Sequence, residues 1–230
     1  MAELNTAKTI GRNCMKKPKT SLKHGVERYH HIDQNRDSSG QLKTIYADWA
    51  DSYDVDNNEK LGTVSQPNAV ALLAKFLQDR QAPIIDIGCG TGLVGQHLQA
   101  TGFHCFDGTD LSPEMLEHAH HRGYRHLFTC DADQGIPVAD AAYQATICVG
   151  VFTHSHLGPS LFAELLRITR VGGIIVFTVN EGVYDSGEFS SAIEQYIDCG
   201  AWKLLESAKQ AYMVDEGVDA WYFALKKTQP

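Results

Sequence analysis

Three glycines at alternate positions follow a short apolar run in this 230-residue chain. Residues 83–87 have the composition of a central parallel strand, and the turn at 86–92, Asp-Ile-Gly-Cys-Gly-Thr-Gly, joins it to a helix expected over 91–100. Glycines in such a turn let a ligand approach the backbone, and the helix behind them offers free N–H groups. A strand, a ligand-binding turn and a helix in this order indicate an α/β fold.

The rest of the chain continues this alternation of strands and helices. Ser65 and Pro67 mark a helix start, because a hydroxyl residue and an early proline favour a helix N-terminus. Further strands are predicted at 104–109, 125–130, 144–151 and 173–179, and helices at 113–121, 159–169 and 188–198. The last two strands, 202–213 and 218–226, have no helix between them. The pattern predicts a doubly wound α/β fold, with a mostly parallel seven-stranded sheet and a C-terminal antiparallel strand pair.

Acidic residues stand near the ends of the first three predicted strands. Asp86 precedes the glycines by two positions, and its negative charge disfavours the pyrophosphate of a dinucleotide and favours an ammonium or sulfonium group. Asp110 ends the second strand, where a carboxylate can accept hydrogen bonds from both hydroxyls of a ribose. Asp131 and Ala132 follow the third strand, in position to bind an adenine edge. These positions are expected to converge on one crevice.

Together these motifs resemble the class I S-adenosylmethionine (SAM)-dependent methyltransferases. The resemblance spans about residues 40–226, nearly the whole predicted domain. It rests on residues 85–92, Asp-Leu-Ser-Pro-Glu-Met-Leu at 110–116, Ile-Pro-Val-Ala-Asp at 136–140 and Leu-Leu-Arg-Ile-Thr-Arg-Val-Gly-Gly at 165–173. Residues 149–154 and 178–181 look closest to the methyltransferase-like subgroup of the Williams-Beuren chromosomal region. One departure is Tyr143-Gln144, where many relatives have Phe-Asp.

The resemblance implies SAM as the cofactor. It places Asp86 and the glycines around the methionine end of SAM, Asp110 at the ribose, and Asp131 with the Ala132 amide at the adenine. The full expected cofactor-binding set is Tyr46, Trp49, Tyr53, Asp86, Gly88, Gly90, Gly92, Asp110, Leu111, Asp131, Ala132 and Val149.

The segment 46–54, Tyr-Ala-Asp-Trp-Ala-Asp-Ser-Tyr-Asp, looks like the N-terminal lid of the family. Tyr46, Trp49 and Tyr53 are expected to cover the cationic methyl donor and exclude water, because aromatic faces attract cations. The alternative is an ordinary amphipathic helix packed on the core.

Residues after the fourth and fifth strands are expected to form the acceptor pocket. The candidate catalytic residues are His154, Asn180, Glu181 and Tyr184, with Phe152 as an aromatic wall. Asn180 and Glu181 are expected in a loop, because the next helix is predicted to begin only at about Glu188. This set suits a compact polar acceptor, such as an amine or an amino-acid-like molecule, which His154 could deprotonate. The alternative is that Glu181 caps the loop and His154 is solvated.

Charge divides the chain into two parts. Residues 1–28 hold seven Lys and Arg against two acids, and the remainder carries a formal charge of −13. So acidic a domain repels phosphate backbones, which makes nucleic acid an unfavourable partner. We therefore expect a basic, flexible segment over 1–39 and a SAM-dependent methyltransferase domain over 40–230. Two alternatives remain open: a protein or RNA methyltransferase that docks through the basic segment, and a SAM-binding protein without enzymatic activity.

The positions of the cysteines, apolar residues and histidines predict the redox environment, the lack of a membrane span and the lack of a metal site. The six cysteines include no CxxC pair, which is typical of reduced thiols in a cytoplasmic protein. No apolar run reaches the ~20 residues of a membrane span. His118 and His121 share a face of a predicted helix, but no cysteine or carboxylate completes a ligand set with them. We therefore expect surface histidines and no metal site. The oligomeric state is left open.

Overall fold

The core of the protein is a seven-stranded sheet, within the residues 25–34, 38–153 and 157–230 that the computed structural model describes. The strands are β1 (Ile84–Ile87), β2 (Phe106–Asp110), β3 (Leu127–Thr129), β4 (Tyr143–Phe152), β5 (Thr169–Asn180), β6 (Trp202–Met213) and β7 (Val218–Lys227). Their order is β3-β2-β1-β4-β5-β7-β6, with β1 to β5 parallel and β7 antiparallel to both β5 and β6. The sheet confirms the predicted fold class.

Helices cover both faces of this sheet. They are α1 (Gly25–Gln34), α2 (Ser39–Trp49), α3 (Tyr53–Val55), α4 (Ser65–Phe76), α5 (Leu93–Ala100), α6 (Pro113–Ala119), α7 (Leu161–Ile168), α8 (Glu181–Tyr184) and α9 (Glu188–Asp198). Leu73 of α4 and Leu98 of α5 belong to one buried apolar cluster, and Phe162 of α7 and Ile193 of α9 to the other. None of these described helices is both long and apolar enough to cross a membrane.

The order in which strands are added to the sheet reverses between β1 and β4, although these two strands are parallel. From β1 it moves outward to β2 and β3, then returns to place β4 on the other side of β1. All four residues of β1 are buried, as a strand covered on both faces requires. The loops after β1 and β4 therefore diverge and leave a crevice at the carboxyl ends of these strands, where open α/β sheets bind ligands.

The folded part of the chain begins before the expected boundary at residue 40. Helix α1 lies within the segment expected to be flexible, and its Ile32 is only 4% exposed and belongs to the first apolar cluster. Two polar contacts also hold this helix: Arg28 Nη1 donates to Ser52 Oγ at 3.4 Å, and His30 Nε2 lies 3.2 Å from Glu216 Oε2. Residues 25–34 therefore belong to the domain, while residues 1–24 lie outside the described part of the chain.

The prediction of a loop directly after β5 is wrong, because a short helix follows this strand. Asn180 is the last residue of this strand, and its Oδ1 accepts a hydrogen bond from the Gly182 N–H at 3.0 Å. This side-chain cap satisfies a backbone donor that a helix start leaves free, so α8 begins at Glu181. Helix α9 begins at Glu188, as predicted.

Candidate active site

A cavity of about 470 Å³ opens at the carboxyl ends of β1, β2 and β4. Helix α2 and the residues after it cover one side. The walls are formed by Ser38, Ser39, Leu42, Tyr46, Tyr53, Ile87, Gly88, Gly90, Thr109, Asp110, Leu111, Met115, Cys130, Asp131, Ala132, Asp133, Val149, Gly150, Val151 and Leu157. Its volume lies in the range of small-molecule and cofactor sites.

The glycine turn forms the floor of this cavity. Gly88 and Gly90 have φ values of 70° and 55°, in the left-handed region that side chains disfavour. A Cβ at Gly90 would meet nothing within 4 Å, whereas one at Gly88 would lie 2.4 Å from Val151 Cγ2. Gly90 therefore leaves open space where a ligand can contact the backbone, and Gly88 makes room for the core.

Asp110 fixes the glycine turn to the end of β2. Its Oδ2 accepts from the Gly90 N–H and its Oδ1 from the Ser112 N–H, both at 2.9 Å. Burial raises the pKa of this carboxyl group, while the backbone N–H donors favour its ionised form. Each carboxylate oxygen can accept more than one hydrogen bond, so both retain capacity for ligand hydroxyls.

Asp86 lies beneath the turn and does not line the cavity wall. Tyr124 Oη donates to its Oδ2 at 2.6 Å, while its fully buried Oδ1 has no hydrogen-bond partner in the described part of the chain. Burial raises the pKa of Asp86 to about 7, with a smaller upward contribution from the charge of Asp110 and an opposing one from the Tyr124 hydrogen bond. A buried carboxylate with a free acceptor favours a cationic ligand nearby.

The raised pKa of Asp86 predicts a pH-dependent loss of stability in the ligand-free protein. Its ordinary pKa is 3.8 and the folded value about 7, so between these values the folded state holds this proton more tightly than the unfolded chain. The contribution of protonated Asp86 to the free energy of unfolding is fully present below the pKa of the unfolded state. It is lost as pH rises through the pKa of the folded state, by at most roughly 1.4 kcal/mol per pH unit. Asp86→Asn should remove this slope in denaturant unfolding between pH 4 and pH 7.

The exposed Asp133, replaced by asparagine, serves as the control and should keep the wild-type slope. Equal slopes in wild type and Asp86→Asn would contradict the prediction. The comparison isolates Asp86 because other titrating groups stay the same in both proteins.

The aromatic residues of the expected lid divide between two roles. Tyr46 and Tyr53 line the cavity, and burial raises the pKa of both phenols. Trp49 is 3% exposed and does not line this cavity, because its Nε1 donates to the buried Asp56 Oδ2 at 2.8 Å. It stacks on Tyr46, with ring centroids 6.2 Å apart, and so supports the lid from behind.

A carboxylate outside the expected set fastens the lid to the glycine turn. Asp54 Oδ1 accepts from Thr91 Oγ1 at 2.5 Å, and its Oδ2 forms an ion pair with Arg122. Thr91 stands between the second and third glycines and is 1% exposed. We call these three residues the Asp54 clasp.

Most other expected cofactor residues also line the cavity. Leu111, Asp131, Ala132 and Val149 do so, whereas Gly92 does not. A Cβ at Gly92 would lie 2.9 Å from the Tyr124 ring, so this glycine allows close packing behind the turn. The binding roles of these residues stay predictions.

Three of the expected acceptor residues, Asn180, Glu181 and Tyr184, do not line this cavity. Glu181 Oε2 pairs with Lys209 Nζ at 2.6 Å, and its Oε1 accepts from the Asp219 N–H at 3.1 Å, which ties α8 to β6 and β7. These donors lower the pKa of Glu181. Tyr184 packs on Trp221, with ring centroids 4.9 Å apart.

Asn180 is occupied as the α8 cap described above. Phe152, expected as an acceptor wall, is fully buried against Phe162 and Phe177 in the second apolar cluster, because β4 turns its ring toward α7. His154 lies outside the described residues, so its role stays a prediction.

Several wall residues were missed by the sequence reasoning. Met115 follows Asp110 in a quoted motif, so one helical turn of α6 could have pointed to it. Ser38, Ser39 and Leu42 reach the cavity only because α2 lies across it, and no local sequence signal specifies that packing. The described residues contain no cluster suited to a metal ion, and His118 lies instead 3.4 Å from Asp51.

The amino-acid sequence is similar to those of known methyltransferases. Residues 85–177 match a family described as Methyltransferase domain. Methyltransferase-like protein 27 of Homo sapiens is 31% identical over 169 residues, which cover 70% of this chain and 68% of that protein. Malonyl-[acyl-carrier protein] O-methyltransferase of Serratia marcescens is 33% identical over 95 residues, covering 41% of this chain and 37% of that protein.

A solved structure shares the fold at lower identity. The 1,6-didemethyltoxoflavin-N1-methyltransferase of Burkholderia thailandensis, with bound 1,6-didemethyltoxoflavin and S-adenosylhomocysteine, superposes with a TM-score of 0.60 at 16% identity. The match covers 84% of this chain and 92% of that one. The sheet and its helices are therefore those of a known architecture.

Proposed function

This chain belongs to the SAM-dependent methyltransferases, and from that premise we propose that it transfers the methyl group of SAM to a small polar molecule. The observation that carries the proposal is the cavity of about 470 Å³ at the carboxyl ends of the strands, covered by a lid from the same chain. A reaction centre covered in this way favours an acceptor small enough to lie beneath the lid.

The cavity walls fit the cofactor. Gly90 leaves room for close approach to the backbone, and the Asp110 carboxylate can accept hydrogen bonds from the ribose hydroxyls. Asp131 and the Ala132 amide, at the end of β3, suit the adenine edge. The negative charge of ionised Asp86 beneath the turn suits the cationic end of the molecule.

The contribution of the protein to the reaction is alignment and exclusion of water. Bound SAM supplies a methyl group on a positively charged sulfur, which is already reactive toward nucleophiles. Tyr46 and Tyr53 cover the cavity, and their aromatic faces can stabilise positive charge there. Holding an acceptor in line at near-attack distance is worth up to ~7–11 kcal/mol in well-oriented systems.

Charge also favours a small acceptor over a nucleic acid. The chain carries a formal charge of −8, and Asp110, Asp131 and Asp133 all line the cavity. A phosphate backbone brought to this opening would be repelled at physiological salt. A neutral or cationic small molecule meets no such barrier.

A screen with labelled cofactor tests the proposal. The purified full chain is incubated with SAM carrying a deuterated methyl group and a pool of small metabolites, and mass spectrometry follows both S-adenosylhomocysteine and labelled products. We expect S-adenosylhomocysteine to form at least about tenfold faster with the pool than without it, and the label to appear in a small molecule. A parallel incubation contains protein and RNA in place of the metabolite pool, and label transferred only in that incubation would overturn the small-molecule proposal.

A further inference from the structure

A second, smaller cavity of about 50 Å³ lies next to the first. Tyr46, Tyr53, Val149 and Gly150 line both cavities and so form the boundary between them. Helix α1 supplies Tyr29 and Ile32, and the end of β6 supplies Tyr212 and Met213. The remaining walls are Trp49, Asn57, Thr63, Gln66 and Thr153.

The walls of this cavity are aromatic and uncharged. Five aromatic side chains surround it, namely Tyr29, Tyr46, Trp49, Tyr53 and Tyr212. Its polar groups are hydroxyls and amides, and no described residue that lines it has a charged side chain. Burial raises the pKa of Tyr46, Tyr53 and Tyr212, so these phenols stay protonated at neutral pH.

This lining excludes two kinds of acceptor. A carboxylate or phosphate would meet no cation among the described residues that line the cavity, and it would lie near the negative charge of Asp110, which adds to the rise in the pKa of both Tyr46 and Tyr53. A hydroxyl acceptor must lose its proton during methylation, and the described lining offers no side chain that is a base at neutral pH. An uncharged nitrogen with a lone pair needs neither a cation nor a base.

We propose that the cavity between α1, the lid and β6 holds the reacting end of the methyl acceptor, and that this end is an uncharged, weakly basic nitrogen such as that of an imidazole ring. The inference rests on the proposed function and adds the place and chemical class of the acceptor. Aromatic faces around the nitrogen favour it because the group becomes cationic as it reacts.

The reaction balances without a proton leaving the cavity. The nitrogen lone pair forms the new N–C bond to the methyl carbon while the C–S bond breaks and its electron pair stays on sulfur. The positive charge moves from sulfur to the ring nitrogen, and no atom is oxidised or reduced. An imidazolium product then loses its N–H proton to water after release.

Tyr212 is the residue best placed to select this acceptor. A Cβ built on Gly150 would lie 3.0 Å from Tyr212 Oη, which puts this hydroxyl at the boundary between the two cavities. Tyr29 faces the same small cavity from α1. The two tyrosines lie far apart in the sequence, and α1 must lie on the domain for Tyr29 to line the cavity.

Binding of small probes tests the inference without turnover. The full chain, saturated with S-adenosylhomocysteine, is titrated with imidazole and separately with propionate, and NMR follows the amide signals of Gly150, Thr153 and Met213. We expect imidazole to shift these signals, and propionate to require at least tenfold higher concentration for the same shift. Equal or tighter binding of propionate would overturn the nitrogen class.

Substitutions in the wall of the small cavity test whether imidazole bound there is the molecule that is methylated. With SAM present, mass spectrometry follows N-methylimidazole, and Tyr212→Leu should lower kcat/KM for imidazole at least tenfold while SAM affinity changes less than twofold. Tyr29→Leu provides an independent variant on α1 with the same expected direction. Tyr222→Phe is the control, because its hydroxyl donates to Ala211 O at 2.8 Å and its ring does not line the cavity.

The outcomes separate this inference from the proposed function. Failure of SAM and S-adenosylhomocysteine to bind would overturn both. Cofactor binding with no imidazole-dependent shift, or with wild-type turnover in both Tyr212→Leu and Tyr29→Leu, would overturn the acceptor cavity alone.

Discussion

Replacing Gly90 by leucine is expected to weaken SAM binding at least about 100-fold, a loss of about 2.7 kcal/mol. Gly90 has φ 55° and lines the cavity, and a Cβ there would meet nothing within 4 Å. The added side chain would therefore occupy ligand space without disturbing the protein interior. Calorimetric titration with SAM and with S-adenosylhomocysteine measures the loss.

Gly217 offers a matched control for the backbone strain. Its φ is 64°, a Cβ there also meets nothing within 4 Å, and it lies in the turn between β6 and β7. Leucine at either position should cost ~1–2 kcal/mol of stability through the left-handed conformation, but Gly217→Leu should leave cofactor affinity unchanged. If both variants bind SAM like wild type, the cavity is not the cofactor site.

Replacing Asp110 by alanine is expected to weaken SAM and S-adenosylhomocysteine binding by ~1.5–3 kcal/mol, roughly 10- to 150-fold. The carboxylate anchors Gly90 and Ser112 through their N–H groups and lines the cavity, so we expect its removal to loosen the turn and to take away the proposed acceptor for the ribose hydroxyls. Calorimetry at constant salt measures the change, and thermal unfolding reports any loss of stability.

Asp133→Ala is the control for charge. Asp133 lines the same cavity but is exposed, so the variant removes one negative charge from the opening without disturbing the turn. We expect its cofactor affinity to stay within about threefold of wild type. Equal losses in the two variants would assign the effect to the overall charge of the opening and would contradict the ribose role of Asp110.

The fold was predictable because its signals are local. Continuous apolar strands, glycines in the first turn and acids at strand ends each act within a few residues, and they led to the sheet and to part of the cavity wall. Gly90 and Asp110 are examples, since their places follow from the ends of β1 and β2. Where the strands end, the side chains that follow must meet at one edge.

The missed features depend on contacts between distant segments. Glu181 follows an apolar strand, and only the placement of Lys209 and the Asp219 N–H reveals that its carboxylate is engaged. Ile32 lies in a basic region whose composition suggested a flexible segment, and its burial requires the folded domain beneath it. The small cavity combines α1, the lid and β6, which no local pattern brings together.

The Asp54 clasp has a consequence for the speed of cofactor exchange. If the lid covers bound SAM as proposed, we expect cofactor entry and exit to require the lid to part from the glycine turn, and therefore the bonds from Asp54 to Thr91 and Arg122 to break. Asp54 and Arg122 are 29% and 20% exposed, so dissolved salt screens their attraction only in part. We therefore expect higher ionic strength to shorten the residence time of spent cofactor, so that the rate of S-adenosylhomocysteine release follows the salt concentration of the medium.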